Sequence, residues 1–433
     1  MKQAKNILFH MLLFASIACH GSNGVSTTGS DTGKVTMLKP PTPDVSLTLP
    51  SGFSATVFAE GLGKARHLTT TPSGYIYVKL GSSKNGSTIV RLRDTNGDGV
   101  ADQELDFGNY KGTGIIVKNG YLYASSDEEV FRYKLNDDGS IEDPEKPEKI
   151  ITGLISRNMH ESKSLTLDND GNIYVNIGAY SNSCQVLDRQ IGSMGIKPCP
   201  ILDSAGGIWK FKANKPNQTY ADGERYATGL RNVVGLDWNS VSNTLFVMQH
   251  GRDQLSYMFP QYYTNKESAE LPAECMYELH QGVNAGWPYI YYDEFQNKKM
   301  LAPEYGGDGK KTAGEDAIDP VVAFPGHLAP NGLIFYTGNQ FPEKYRNGAF
   351  IAFHGSWNRS PEPQEGFYVA FVPFSNGKPS GKWEIFANGF SGGPDKTASG
   401  RAIHRPCGLA QGPDGSLYIS DDNKGTIWRI TYK

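Results

Sequence analysis

Apolar and polar positions along this chain alternate with period two over short runs, and each run breaks at a turn containing Gly, Asn or Asp. Period two marks a strand with one buried face. One strand–turn–strand unit recurs six times. It reads HLTTTPSGYIYVKL from His67, GIIVKNGYLYASS from Gly114 and SLTLDNDGNIYVNIGA from Ser164. It returns as VGLDWNSVSNTLFVMQH from Val234, NGLIFYTGNQFPEKYRNGAFIAFHG from Asn331 and GLAQGPDGSLYISDD from Gly408. Some copies continue into a third strand, as GGIWKFK at Gly206 and GTIWRITYK at Gly425. No helical period is sustained between them. The pattern predicts an all-β fold, a six-bladed β-propeller of four-stranded antiparallel blades, in which a ring of sheets leaves no long bare edge. A β-sandwich or a two-domain arrangement is the alternative.

The copies are unevenly spaced, with extra chain at Tyr180 to Ser204, Ser256 to Pro272 and Tyr289 to Asp319. Long insertions in a compact repeat fold tend to be functional loops. They surround one hairpin, GLRNVVGLDWNSVSNTLFVMQHGRD from Gly229 to Asp253. Its outer ends carry Arg231-Asn232 and Gly251-Arg252-Asp253, so these polar clusters should emerge at the same sheet edge.

Composition narrows the class. Fifty glycines, 23 tyrosines and 20 phenylalanines suit a turn-rich β protein, and a net charge of −3 gives no basic face for nucleic acid. At the N-terminus, Lys2 and Lys5 precede an apolar run from Ile7 to Ile17 that is too short to span a bilayer. Ser16-Ile17-Ala18 before Cys19 matches a bacterial lipoprotein cleavage box, with an ordinary signal peptide as the alternative. The expected organisation is a leader over 1–19, a flexible tether over 20–44 and one propeller domain over 45–433. The expected location is exported, periplasmic or lipid-anchored at the cell envelope, with that lipid as the sole membrane contact. Export permits disulfides, and Cys184 with Cys199 is the pair expected to bridge.

Candidate chemistry collects at strand starts and ends. His160 precedes the third repeat, at the expected channel mouth, where a neutral imidazole can take a proton from an alcohol. Arg231 and Asn232 occupy the equivalent place one blade on, and arginine offers a planar fork to carboxylate or quinone oxygen. The main-chain carbonyls of Gly251 and Arg252 can serve a hard cation, and Glu274 can fix their loop. His354, Trp357 and Arg359 follow an apolar strand and can cover a flat charged ligand, with Arg405 as a further anion contact. Asp94, Asn96, Asp98 and Asp102 alternate around glycines as a calcium loop would, although position twelve is Leu105 and not glutamate. The plain reading of each is an ordinary loop contact, and of the last a solvated hairpin.

Together, GLRNVVGLDW, QHGRDQL, VNAGWPYIYYD, HLAPNGLIFYTGNQFPEKYRNGAFIAFHGSWNR and RPCGLAQGPDGSLYISDDNKGTIWRITY resemble the sorbosone/glucose dehydrogenase family. These are soluble aldose dehydrogenases that use pyrroloquinoline quinone (PQQ) and calcium on a six-bladed propeller. The resemblance implies His160 as general base, Arg231 and Asn232 at the quinone, and Gly251 and Arg252 as carbonyl ligands of the calcium. It implies a sugar or sugar-aldehyde substrate and an external electron acceptor: a quinone, dye or cytochrome. Where the best-known glucose oxidisers have an Asp-His pair, this chain has Met159-His160. A calcium-dependent propeller lactonase and a non-catalytic carbohydrate-binding propeller are the competing readings.

Overall fold

Each of the six repeats becomes the first two strands of an antiparallel sheet in the computed structural model, which describes residues 35–398 and 400–433. Blade 1 comprises Ala65–Thr70, Ile76–Lys84, Ser87–Arg93 and Gln103–Phe107. Blade 2 follows as Ile115–Lys118, Tyr121–Ser125, Val130–Lys134 and Glu148–Thr152. Blade 3 is Leu165–Leu167, Asn172–Ile177, Gly207–Lys212 and Glu224–Thr228. Blade 4 is Val233–Asn239, Thr244–Gln249, Glu274–Leu279 and Val322–Phe324. Blade 5 is Pro330–Phe335, Ala349–Phe353, Tyr368–Val372 and Glu384–Ala387. Blade 6 takes Pro406–Gln411, Leu417–Asp421 and Ile427–Tyr432 from the C-terminus, and its outer strand, Phe53–Ala59, from the other end of the domain. That pairing closes the ring.

Blades 1, 2 and 3 exceed the expected four strands. Thr36–Met37 pairs along blade 1, and Gln218–Thr219 and Val283–Asn284 add parallel strands to blades 2 and 3. Each addition covers an outer edge that would otherwise expose unpaired N–H and C=O groups.

The six inner strands line a central channel of about 200 Å³, each blade contributing residues such as His67, Ile115, Leu165, Asp237, Leu333 and Leu409. Glycine permits the convergence. A Cβ on Gly332 would lie 2.4 Å from the Cys407 carbonyl oxygen, and one on Gly408 would lie 2.5 Å from that of Arg66. Between blades 5 and 6 the core is aromatic, with Tyr336, Phe341, Tyr345, Phe350, Phe371 and Phe386 buried together. Tyr336 and Phe341 stack at 4.5 Å.

The folded region starts earlier than Val45. Leu38 N–H donates to the Asp102 carbonyl at 3.0 Å, and Asp44 accepts from His404 Nε2 at 2.7 Å and from Lys424 Nζ at 2.5 Å. Strand pairing and ion pairs therefore hold a stretch whose Pro-rich composition reads as tether. The leader over 1–19, Cys19 and the tether up to residue 34 lie outside the described residues. Among the described residues no helix is long and apolar enough to cross a membrane.

Candidate active site

Segments leading into the inner strands of blades 1, 2, 3 and 6 enclose a cavity of about 500 Å³ at the channel mouth, lined by Lys64, Arg66, Lys111, Asp127, His160, Glu161, His354, Arg405 and Asp422 among others. That volume suits a small ligand or cofactor. His160 sits there half-buried, with a left-handed backbone, φ +52°. Its Nδ1 lies 2.5 Å from the Ala179 carbonyl. A carbonyl can only accept, so Nδ1 carries the proton and Nε2 keeps its lone pair. Burial, then the positive charge of Arg231, pushes the His160 pKa down to about 3, so the ring is neutral at pH 7. Gly178 makes room for it. A Cβ there would lie 2.7 Å from His160 Cβ and 2.9 Å from Asn232 Oδ1.

Blade 4 delivers the second cluster as the hairpin pattern requires, with Val233 opposite Gln249. Arg231 is buried, and each of its three guanidinium nitrogens donates. Nε donates to the Asn182 carbonyl at 3.1 Å and Nη1 to the Gly251 carbonyl at 2.9 Å. Nη2 reaches Asn182 Oδ1 at 3.0 Å and Asp253 Oδ2 at 2.8 Å. Asn232 Oδ1 accepts from Asn176 Nδ2 at 3.3 Å. The Ala179 peptide joins the two clusters, because its N–H donates to the Arg231 carbonyl at 2.8 Å while its oxygen holds His160.

Asp253 is the hub of this cluster. Arg189 Nη2 and Arg231 Nη2 share its Oδ2, and Asn358 Nδ2 donates to its Oδ1 at 2.8 Å. Burial acts to raise its pKa, yet the charges of Arg231, His327 and Arg189 hold the carboxyl well below the usual range. Glu274 fixes the Gly251 turn, accepting from Gly251 N–H at 3.0 Å, and burial pushes its pKa up to about 8. The Arg252 side chain points away from any ligand role, into a buried ion pair with Glu304.

The remaining expected residues separate. His354 and Arg405 line the mouth. His354 Nε2 lies 2.5 Å from Asp422 Oδ1, and Arg66 Nη1 lies 2.7 Å from Asp422 Oδ2. Arg405 Nε donates to the His354 carbonyl at 3.1 Å and stands over the Phe367 ring. Trp357 is 53% exposed. Arg359 does not face the mouth, contrary to the expectation that it covers a ligand. Its donors go to the carbonyls of Pro363 at 3.0 Å, Gly326 at 3.1 Å and Ala269 at 2.5 Å, because those loops fold over the strand end. The Asp94–Asp102 loop hydrogen-bonds internally. Asp94 accepts from Gly97 and Gly99 N–H at 2.7 and 2.8 Å, and Asn96 and Asp98 accept from Asp98 and Val100 N–H, both at 2.9 Å. These oxygens accept from the loop's own amides, and among the described residues no three His, Cys, Asp or Glu side chains form a metal-holding group. Asp102 accepts from Thr95 through one oxygen.

Sequence reasoning missed Asn182, Asn358, Arg66 and Asp422. Arg66 immediately precedes the first repeat and Asp422 ends the last, which is the one local signal they offer.

A family-level comparison matches residues 47–433. The chain belongs to the TrAA12-like family. Among individual relatives of this TrAA12-like chain, a PQQ-dependent sugar dehydrogenase of Hypocrea jecorina is 23% identical over 87% of each chain. A PQQ-dependent pyranose dehydrogenase of Coprinopsis cinerea is 23% identical over 90% of this chain and 55% of its own, longer length. An uncharacterised protein of Borreliella burgdorferi is 27% identical over 90% of this chain and 91% of its own. The fold is shared with the holo PQQ domain of Coprinopsis cinerea pyranose dehydrogenase at TM-score 0.72 and 19% identity, covering 90% of this chain and 98% of that one. The PQQ-bound aldose sugar dehydrogenase of Streptomyces coelicolor matches at TM-score 0.54 and 16% identity, covering 89% and 100%. The six-bladed propeller of the repeat pattern stands.

Cys184 and Cys199 are joined as a disulfide. The bridge closes the first insertion, whose Gly192 and Gly195 N–H groups donate to the carbonyls of Met258 and Glu304 in the other two insertions, both at 2.9 Å.

Proposed function

We propose that this protein oxidises a sugar or sugar aldehyde with PQQ as cofactor and passes the electrons to an external acceptor such as a quinone, dye or cytochrome. One observation carries the reading: His160, its Nδ1 proton held by the Ala179 carbonyl, keeps an unprotonated Nε2 at a mouth lined by four cations together with Asp127, Glu161 and Asp422. PQQ bears three carboxylates on a flat ring system, and Lys64, Arg66, Lys111 and Arg405 around that cavity fit such an anion. When bound, PQQ supplies a quinone carbonyl that accepts hydride.

The chain's own residues do the rest. His160 Nε2 takes the hydroxyl proton of the substrate, and the Nδ1–H bond to Ala179 keeps the ring in that tautomer. Arg231 and Asn232 stand behind His160 as the fixed positive end of the site, stabilising negative charge as it develops. His354 and Arg405 border the mouth on the blade 5 and 6 side, and Trp357 is exposed three residues beyond His354. Calcium belongs to this reading with Gly251 and Arg252 supplying main-chain carbonyls. The Gly251 oxygen, which accepts from Arg231 Nη1, would be one of the carbonyls offered to the ion. Two carbonyls are fewer oxygens than calcium prefers, so the ion would need further oxygen ligands from outside the chain. A lactonase would need carboxylates converging on a metal, and among the described residues no such group converges.

Purified cofactor-free protein, supplied with PQQ and calcium and followed by dye reduction across a sugar panel, tests the proposal. Sugar-dependent reduction that requires PQQ supports it, and no reduction with any aldose or sugar aldehyde overturns it. We further propose export to the periplasm or envelope. The Cys184–Cys199 bridge supports an oxidising compartment, and fractionation of cells expressing the full chain tests the location.

A further inference from the structure

The guanidinium of Arg231 is gripped on two sides, by Asn182 and by Asp253, and these two residues also grip each other. Asp253 N–H donates to Asn182 Oδ1 at 2.8 Å, and Asn182 Nδ2 donates to the Asp253 carbonyl at 3.0 Å. Asn182 comes from the first insertion and Asp253 from the outer end of the blade 4 hairpin, and neither is part of a strand. A second pair, at the tip of the disulfide-closed loop, holds the grip shut. Asp188 Oδ1 accepts from Asn182 N–H at 2.9 Å and from Ser181 Oγ at 2.6 Å. Its neighbour Arg189 reaches Asp253 Oδ2 at 2.7 Å through Nη2 and Gln254 Oε1 at 3.0 Å through Nη1. Adjacent residues of opposite charge thus each take one jaw of the bracket. Arg189 does so from a left-handed backbone, φ +58°, with its own N–H tied to Gln185 Oε1 at 2.9 Å. A non-glycine residue keeps that conformation where surrounding contacts over-determine it.

We infer that the loop closed by Cys184 and Cys199 is a positioning device for Arg231, with Asn182 as the direct holder and the Asp188–Arg189 pair as the lock that keeps Asn182 and Asp253 in register. The inference rests on the proposed role of Arg231 at the PQQ site. Neither Asp188 nor Arg189 lines the mouth cavity, and both are partly solvent-exposed. Their replacement therefore disturbs the bracket without opening the core.

Arg189→Met, Arg189→Lys and Asp188→Asn separate positioning from plain structure. In the cofactor-free proteins, melting temperature and peptide-level hydrogen exchange over residues 250–256 are measured first, because the Asp253 N–H bond reports the bracket directly. PQQ affinity is then measured by fluorescence titration. Arg189→Met should melt close to the native protein, exchange about tenfold faster over 250–256, and bind PQQ about tenfold more weakly, the scale of one lost charge-assisted hydrogen bond. Arg189→Lys, which keeps the charge, should recover much of the affinity. Asp188→Asn should move both readings in the same direction by less. Native exchange and native affinity in Arg189→Met would overturn the inference, as would a lowered melting temperature with unchanged affinity. If the native protein itself binds no PQQ, the proposed function falls, while unchanged exchange in Arg189→Met would separately refute the bracket.

Discussion

Two polar clusters of this protein look alike in sequence and differ in how their charges are satisfied. The Asp94–Asp102 loop closes on itself: every hydrogen bond described above for its side chains comes from within seven residues. The Arg231 cluster closes across the molecule. Asn182 comes from 49 residues before Arg231, and Asn358 from 105 residues beyond Asp253. Local closure engages the loop's side chains with its own amides, leaving Asp102 Oδ1 buried without a hydrogen-bond partner. Closure through the first insertion and the strand ends of blades 4 and 5 makes a site whose geometry depends on several distant segments of the chain. An Asp/Gly-rich string therefore argues for a hairpin first, and a ligand site is better sought where distant loops bury charge together.

The largest expected effect lies on the open side of the second cluster. His160→Gln should lower turnover by about 10²–10⁴, the usual range for loss of a general base, with PQQ affinity little changed in a fluorescence titration. Unchanged turnover would remove His160 from the chemistry. Because burial and the Arg231 charge depress its pKa, His160 stays neutral well below the ordinary 6.5. The acid limb of kcat/KM should accordingly fall below pH 5, and an acid limb near 6.5 would contradict the buried geometry.

Arg252→Ala comes next, and its effect should fall on stability. Removing one partner of the buried pair leaves Glu304 uncompensated, which costs roughly 3–5 kcal/mol in denaturant unfolding. Calcium-dependent activation of whatever enzyme remains folded should persist, since that role belongs to the main chain. Gly251→Val should do the reverse, because a Cβ there already lies 3.1 Å from the Pro272 carbonyl.

The smallest effect belongs to the self-closing loop. Asp98→Ala loses the bond to Val100 N–H and should lower the melting temperature by at most about 2–4 °C, equally with calcium and with chelator. A difference that grows with calcium would show that the loop holds an ion after all.

The fold was legible because period-two alternation and turn residues are local signals, and all six repeats fall on the inner two strands of a blade. His160, Arg231 and Asn232 were legible because they stand at fixed places relative to those strands. Asn182 and Asn358 were not, since an asparagine in a connecting segment carries no mark of the arginine or aspartate it will meet. Arg359 misled for the opposite reason. Read locally it is a free cation at a strand end, but the Ala269, Gly326 and Pro363 carbonyls that engage it come from loops whose course the local pattern does not reveal.

The central claim, that His160 and the Arg231 cluster serve a bound quinone, is tested most directly by an anaerobic single-turnover titration. Native protein loaded with PQQ and calcium should lose its oxidised-quinone absorbance on addition of a substrate sugar, in proportion to the bound cofactor. His160→Gln loaded to the same extent should lose it 10²-fold or more slowly, at about the lower limit for a missing base. Equal rates in the two proteins, or no bleaching in the native protein with any sugar of the panel, would contradict the account.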